Sequence, residues 1–425
     1  MFLNLQSAIR RGPVLALFFL LLLSLQLIYS FTVPSVGDSG NWLPISDYLP
    51  KFSAEGYDNF LLKTFYPLIS ANYRLNSDVG EYLIAARDFS PEYLEGHQYL
   101  NRPLYPFLIF LISKSLSPVV GTSYGILFGI SIFLNFILIF ATVTMFYQLL
   151  LKIFKQWGEP RAFKISFLSA VLLIFSPFVH SLIIQPMPEM FVAFGVIFSL
   201  FLLYNYLQNP TLIKLAVFAF LGGTMMLGKM FFALPLFILI LSFYYRRFRE
   251  GAIFLLCFAM PAITWYLWVT KVWGIPYYVH EVQHWNMGIW IFSVFKLSKA
   301  EIVKIFVDAA PRFITVIFRS FVFLPVIFAI IGARHIKGKG KSVLIYSLTL
   351  SIFIMSFLIH LYLYRHAFML FPVVFPAAVV GIQKFADYAA KKRRIPHLAL
   401  EVASFAAIFY FSSLNIYKFY NYLSL

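Results

Sequence analysis

Long apolar runs with almost no charge constrain this chain more than any other feature. Val14 to Phe31, Tyr124 to Leu151, Ile165 to Ile183, Pro188 to Tyr206 and Ala252 to Val272 are runs of this kind. Each is close to or above the ~20 residues an α-helix needs to cross a bilayer. Charged residues make up 12% of the 425, about half the ~25% of a soluble domain. The two-residue alternation of a barrel strand does not recur. The sequence therefore predicts an all-α polytopic membrane protein, with residues 1–425 forming a single transmembrane domain.

The first run follows Arg10 and Arg11. It is longer than the ~7–15-residue core of a signal peptide and no small-x-small cleavage site follows, so it reads as a retained span. Leu212 to Tyr245 is too long for one span and carries Lys229 near its middle. A lysine there costs about 2.5–3.5 kcal/mol on insertion scales, which two spans joined by a turn at Gly228 and Lys229 avoid. Phe313 to Gly332, Ser342 to Tyr362, Phe368 to Phe385 and His397 to Tyr417 bring the total to about eleven spans. The stretch between Val272 and Pro311 reads as a polar and aromatic loop. Pro103 to Ser115 is too short to cross and reads as a re-entrant helix. The large first outer loop, 32–122, carries interfacial, juxtamembrane helices. Two short ones are expected, Asp58 to Tyr66, stopped by Pro67, and Val79 to Phe89, started by Ser77 and Asp78.

The net charge is +17. In a soluble protein this would suggest nucleic acid; here it orients the chain among membrane lipids, and no nucleic-acid partner is called for. Basic clusters follow the second, sixth, eighth and tenth spans: Lys152 to Lys164, Arg246 to Arg249, Arg334 to Lys341, and Lys391 to Arg394. With the N-terminus cytoplasmic, in an inner or plasma membrane, all four fall inside, as the positive-inside rule requires. The polar stretches then share the outer face: 76–107, Gln185 to Glu189, the Lys229 turn, Tyr277 to Trp290 and Arg365 with His366. The single cysteine, Cys257, excludes an internal disulfide.

Several of these residues can carry chemistry. Asp78, with Glu81 three residues on, reads as a capping box. It also reads as a general base, since partial burial raises a carboxylate pKa and it can take a proton from a hydroxyl. Tyr82 shares its helix face, and Asp38 in GDSGNW is the rival acid. Arg102 and Tyr105, in NRPLYPF, read as headgroup anchors, with Arg102 alternatively a contact to a lipid phosphate. Glu189 in QPMPEM reads as a helix-dipole partner, or as a second carboxylate facing Asp78, or as an oxygen ligand for a divalent cation. Lys229, Arg365 and His366 either snorkel to headgroups or clamp a phosphate. His280, Glu281 and His284 spell the H-E-x-x-H zinc signature, with Glu301 a conceivable third ligand and a membrane metalloprotease the corresponding function. Gly274 and Pro276 closely precede that motif and oppose the helix it needs. No metal is assigned.

Placed in order, these segments resemble the GT-C superfamily of membrane glycosyltransferases, in particular bacterial relatives of protein O-mannosyltransferases and aminoarabinose transferases. DVGEYLIAA followed by NRPLYPFLIF resembles the first outer loop of that superfamily, with Asp78 at its acidic position. FSPFVHSLIIQPMPEM resembles the segment leading to a second outer acid, here Glu189. GGTMMLGKM resembles the turn carrying a basic residue, here Lys229, and YRHAFMLFP a late segment carrying Arg365. The resemblance implies transfer of a sugar from a polyprenyl-phosphate donor to an acceptor hydroxyl on the outer face, with Asp78 as base. Arg365, Lys229, Arg102, His366, Tyr82 and Glu81 are then the residues expected around the substrate and its phosphate. Two features depart from the pattern. Asp78 lies unusually far beyond the first span, and no large outer domain follows the last, which leaves the acceptor unidentified. A transporter or flippase of a lipid-linked glycan would use the same cations, but it needs polar residues lining a path through the membrane.

Overall fold

In lipid every backbone N–H and C=O must find a partner within the protein, which an α-helix achieves along its own length. The computed structural model follows that rule. It describes residues 12–32, 42–44, 74–76, 78–91, 102–121, 124–228, 248–276, 297–337, 368–393 and 396–417. Its first half contains α1 (Gly12–Thr32), the strands β1 (Trp42–Pro44) and β2 (Arg74–Asn76), α2 (Asp78–Arg87), α3 (Leu104–Val120), α4 (Tyr124–Phe154), α5 (Glu159–Ile174) and α6 (Pro177–Leu182). Its second half contains α7 (Glu189–Gln208), α8 (Leu212–Met226), α9 (Phe248–Leu267), α10 (Lys299–Ser320), α11 (Leu324–Ala333), α12 (Phe371–Arg393) and α13 (His397–Tyr417). Six helical stretches among the described residues are long and apolar enough to cross a membrane: Gly12–Ser30, Tyr124–Trp157, Glu159–Leu182, Glu189–Tyr206, Phe248–Val272 and Phe368–Lys392. Large apolar side chains stand exposed in rows, Leu17, Leu21, Leu25 and Ile28 on α1, and Leu256, Met260, Ile263 and Leu267 on α9. Such rows are unfavourable in water and natural against lipid. The molecule is an α-helical membrane protein.

One end of the bundle is basic. Lys152 of α4 donates to Asn205 Oδ1 of α7 at 3.5 Å, and Tyr204 donates to the Lys152 carbonyl at 3.3 Å. Gln156 donates to the Lys337 carbonyl beyond α11 at 3.2 Å. Lys164 of α5 pairs with the buried Glu401 of α13 at 2.5 Å, and His397 Nε2 lies 2.9 Å from Asp387 of α12. Described residues of the first and third clusters, with those around α12 and α13, thus gather at one end, although Asp387, Glu401 and Asn205 also bind cations there.

Close helix contacts are made at glycine. A Cβ on Gly332 of α11 would overlap the Ala377 carbonyl of α12, and one on Gly381 would overlap the Phe328 carbonyl of α11. Small residues spaced Ala377-x-x-x-Gly381 let these backbones touch, the usual way helices gain packing energy where no hydrophobic effect operates between them. Gly223 of α8 is pressed in the same way against Phe258 of α9.

The elements differ from the sequence expectations in three places. The third span is not straight: α5 ends at Ile174, and α6 restarts after Ser176, whose side chain accepts the Val179 N–H at 3.3 Å. Pro177 cannot supply an N–H to continue α5, so it opens a new helix instead. The stretch expected to be a loop as far as Pro311 contains the helix α10, started by a capping box. Ser298 N and Oγ both donate to Glu301 Oε2, at 2.8 and 2.7 Å, and Glu301 N donates back to Ser298 Oγ. The eighth span, expected as a single helix over Phe313 to Gly332, is divided by a turn in which Val322 and Phe323 take positive φ of 57° and 63°. Such φ values are strained for a β-branched residue.

Between α1 and α2 the chain makes an excursion closed by a short ladder, in which β1 pairs antiparallel with β2 and Trp42 sits opposite Asn76. The ladder brings Asn76, just ahead of α2, back beside residue 42. The helix expected over Asp58 to Tyr66 and the span expected over Ser342 to Tyr362 lie outside the described residues.

Candidate functional site

At the end opposite the basic one, segments far apart in sequence converge on a single amide. Tyr105, near the start of α3, is fully buried and donates its hydroxyl to Asn135 Oδ1 of α4 at 3.0 Å. Asn135 Nδ2 donates to the Gln185 carbonyl at 2.6 Å and lies 3.4 Å from that of Ile183. Those carbonyls belong to the turn between α6 and α7, where the Gln185 carbonyl also accepts the Met187 N–H at 2.7 Å. Asn135 therefore holds both the first-loop tyrosine and the turn that leads into Glu189. Tyr82 of α2 meets Tyr105 edge-on, ring centroids 5.9 Å apart.

Glu189 opens α7 and is 1% exposed. The positive end of the helix dipole favours a carboxylate there. Its charge and the Tyr82 hydroxyl both act on the Tyr105 hydroxyl. Glu189, Tyr82 and Tyr105 are all buried, where electrostatic interactions are stronger than in water.

A second contact ties α1 to the same region. Ser30 donates its single hydroxyl proton to the Gln26 carbonyl at 2.8 Å, so the proton in the 3.1 Å contact with His180 Nδ1 comes from the imidazole. The Tyr29 ring packs on His180 at 4.9 Å. A third contact is made by the backbone. Leu104 N–H donates to the Leu227 carbonyl at 3.0 Å, joining the entrance of α3 to the Leu227–Gly228 turn. Gly228 lies against the Phe191 ring with no room for a side chain. Phe368, just ahead of α12, stacks on Phe178 of α6 with centroids 3.7 Å apart and planes 5° from parallel.

Of the residues expected in the site, Tyr82 and Glu189 meet around Tyr105, and Arg102 is half-buried beside Pro103 at the entrance of α3. Asp78 begins α2, one turn before Tyr82. The side chains of Asp78 and Glu81 lie outside the described residues, as do Asp38, Lys229, Arg365, His366, His280, Glu281 and His284. Arg87 pairs with Asp88 at 2.5 Å and its guanidinium covers the Tyr124 ring. One expectation changes. Tyr105 is a buried hydrogen-bonding residue and not a headgroup anchor, because Asn135 offers its hydroxyl a partner inside the protein. Glu301, the conceivable third zinc ligand, has its Oε2 committed to the cap of α10. Among the described residues no cluster of three or more His, Cys, Asp or Glu side chains is placed to hold a metal ion.

Asn135 and His180 were not singled out from the sequence, and Gln185 was named only as the start of a polar turn. The available signal was local: each is an isolated polar residue in an otherwise apolar run, and such residues in membrane helices face the protein and pair. No family model matches the chain, and no curated protein matches it in sequence.

Proposed function

We propose that the protein is a glycosyltransferase of the GT-C type with about eleven spans, moving a sugar from a polyprenyl-phosphate donor to an acceptor hydroxyl at the non-cytoplasmic face. The observation that carries this reading is the convergence just described. Tyr82 of α2, the entrance of α3, the Glu189 turn and the Leu227–Gly228 turn come together away from the basic end of the bundle. In the reaction, Asp78 takes the proton of the acceptor hydroxyl, whose oxygen attacks the anomeric carbon. The bond from that carbon to the phosphate oxygen breaks, and Lys229 and Arg365 hold the polyprenyl phosphate that leaves. Arg102 and His366 add to that clamp, Glu81 and Tyr82 line the donor site, and Glu189 orients the substrate or a divalent cation. The β1–β2 ladder also removes the length of the first loop as an objection to Asp78. By returning the chain beside residue 42, it shortens the long path from the first span to Asp78.

Four buried hydroxyls of the described spans offer no path for transport, although Gln26, Asn135, His180 and Gln383 are buried polar groups of another kind. Ser131, Thr142, Ser166 and Ser169 are buried there, and each donates its hydroxyl to a carbonyl of its own helix. Hydroxyls tied back in this way do not make a polar path. The test is release of polyprenyl phosphate from a labelled polyprenyl-phosphate hexose by reconstituted protein supplied with envelope acceptors. General-base catalysis contributes about 10²–10⁴-fold, so Asp78→Asn should lose activity on that scale while keeping the parent's melting temperature. Undiminished turnover in Asp78→Asn removes Asp78 from the mechanism, and movement of labelled lipid without any glycosidic product replaces the transferase with a flippase.

A further inference from the structure

Helix α10 carries an apolar stripe that the rest of the described protein leaves open. Val303, Val307 and Ile314 are 60%, 62% and 52% exposed, and steps of four and seven residues put them on one helix face. The charged positions 301, 304, 308, 312 and 319 recur on the opposite face at steps of three, four and seven. Burying that face in a bilayer is excluded on cost, since each charge at mid-membrane is unfavourable by several kcal/mol. Leaving the stripe in water is also unfavourable. Both are satisfied if the helix lies along the surface of a membrane.

Two features identify lipid as what covers the stripe. First, the apolar surface is continuous with lipid-facing surface, because the chain passes from α10 directly into α11, where Phe323 and Ile330 are 56% and 54% exposed. Second, the helix sequence carries Lys299, Lys304, Arg312 and Arg319 against Glu301 and Asp308, an excess of positive charge suited to phosphate headgroups. Its ends are fixed for such a position. The Ser298–Glu301 box starts it, and the left-handed residues Val322 and Phe323 turn the chain sharply at its end.

We propose that α10 is an in-plane membrane helix. Val303, Val307 and Ile314 rest among the lipids, Lys304 and Asp308 face water, and the turn at Val322 and Phe323 swings the chain from the bilayer surface into α11. The inference depends on the protein's being a membrane protein and not on the transferase reading.

The test uses the full chain in nanodiscs of neutral and anionic phospholipid. Nitroxide labels are placed singly by Val303→Cys, Val307→Cys, Ile314→Cys, Lys304→Cys and Asp308→Cys in a Cys257→Ser background, each variant first shown to melt like the parent. Power saturation should show the three stripe labels more accessible to oxygen than to a water-soluble nickel chelate, and the Lys304 and Asp308 labels the reverse. Stripe labels as accessible to nickel as the controls would overturn the proposal in favour of a water-exposed helix. Stripe labels immobile and shielded from both reagents would overturn it in favour of a second copy or another protein segment.

Discussion

Asn135 illustrates how much one polar side chain contributes inside a membrane protein. It connects Tyr105 to the turn ahead of Glu189 through contacts of 3.0 and 2.6 Å. Asn135→Leu removes both and leaves the Tyr105 hydroxyl and the Gln185 carbonyl without this partner. The Gln185 carbonyl keeps the Met187 N–H and Tyr105 keeps Ser131, so the loss is that of ordinary hydrogen bonds, about 0.5–1.5 kcal/mol each. The thermal midpoint in detergent should fall accordingly, whereas Tyr105→Phe, which removes one partner's hydroxyl and keeps the ring, should cost less. Glu301 supports a prediction about pH. The Ser298 N–H, then the Ser298 hydroxyl, hold its carboxyl below the ordinary carboxylate range. A depressed folded-state pKa means the cap contributes fully above the unfolded-state value of about 4.3 and is lost as pH falls through the lower folded-state value. Amide exchange in the first turn of α10 should therefore accelerate on acidification below about pH 4, beyond the intrinsic rate change, and Glu301→Gln should remove that dependence.

At the scale of elements, helix pairs in this protein are set by what is missing from their surfaces. Because Gly332 and Gly381 bring α11 and α12 to backbone contact, Gly381→Val forces the helices apart. Overpacking of this kind typically costs about 1–3 kcal/mol. Gly129 of α4 has open space around its Cβ position, so Gly129→Ala should be neutral or stabilising by up to about 1 kcal/mol through helix propensity alone. Melting curves of the two variants side by side distinguish a specific α11–α12 contact from general intolerance of change at glycine. Hydropathy located α1, α4, α7 and α13 to within a few residues, because their apolar content is local, and placed the start of α12 but not its polar last two turns. It did not locate the break at Ser176 or the turn at Val322. Pro177 was visible in the sequence, but whether it kinks a span or ends one depends on the cap Ser176 provides. Nothing in F-V-F-L-P announces two left-handed residues.

For the whole molecule, the two ends have opposite chemical character, and that polarity is a statement about orientation. If the basic end faces the cytoplasm, a cysteine replacing Gln156 in a Cys257→Ser background should react with an impermeant maleimide only after the membrane is opened. One replacing Lys114 on α3 should react in intact cells. The opposite pattern would invert the topology and place the Glu189 site on the cytoplasmic face, where the proposed donor chemistry would have to be reconsidered.

Membrane insertion is governed by transfer of each residue from water to lipid, a quantity that belongs to the residue and its near neighbours. For that reason the amino-acid sequence alone determined that this is a helical membrane protein, where its apolar helices run, and that its cations cluster between particular spans. The pairing of buried polar groups depends on residues 30 to 237 positions apart, which transfer energies do not encode. Only the tertiary structure could place Tyr105 on Asn135, Ser30 on His180, and Lys164 on Glu401, or show that α10 is a helix with an uncovered apolar face.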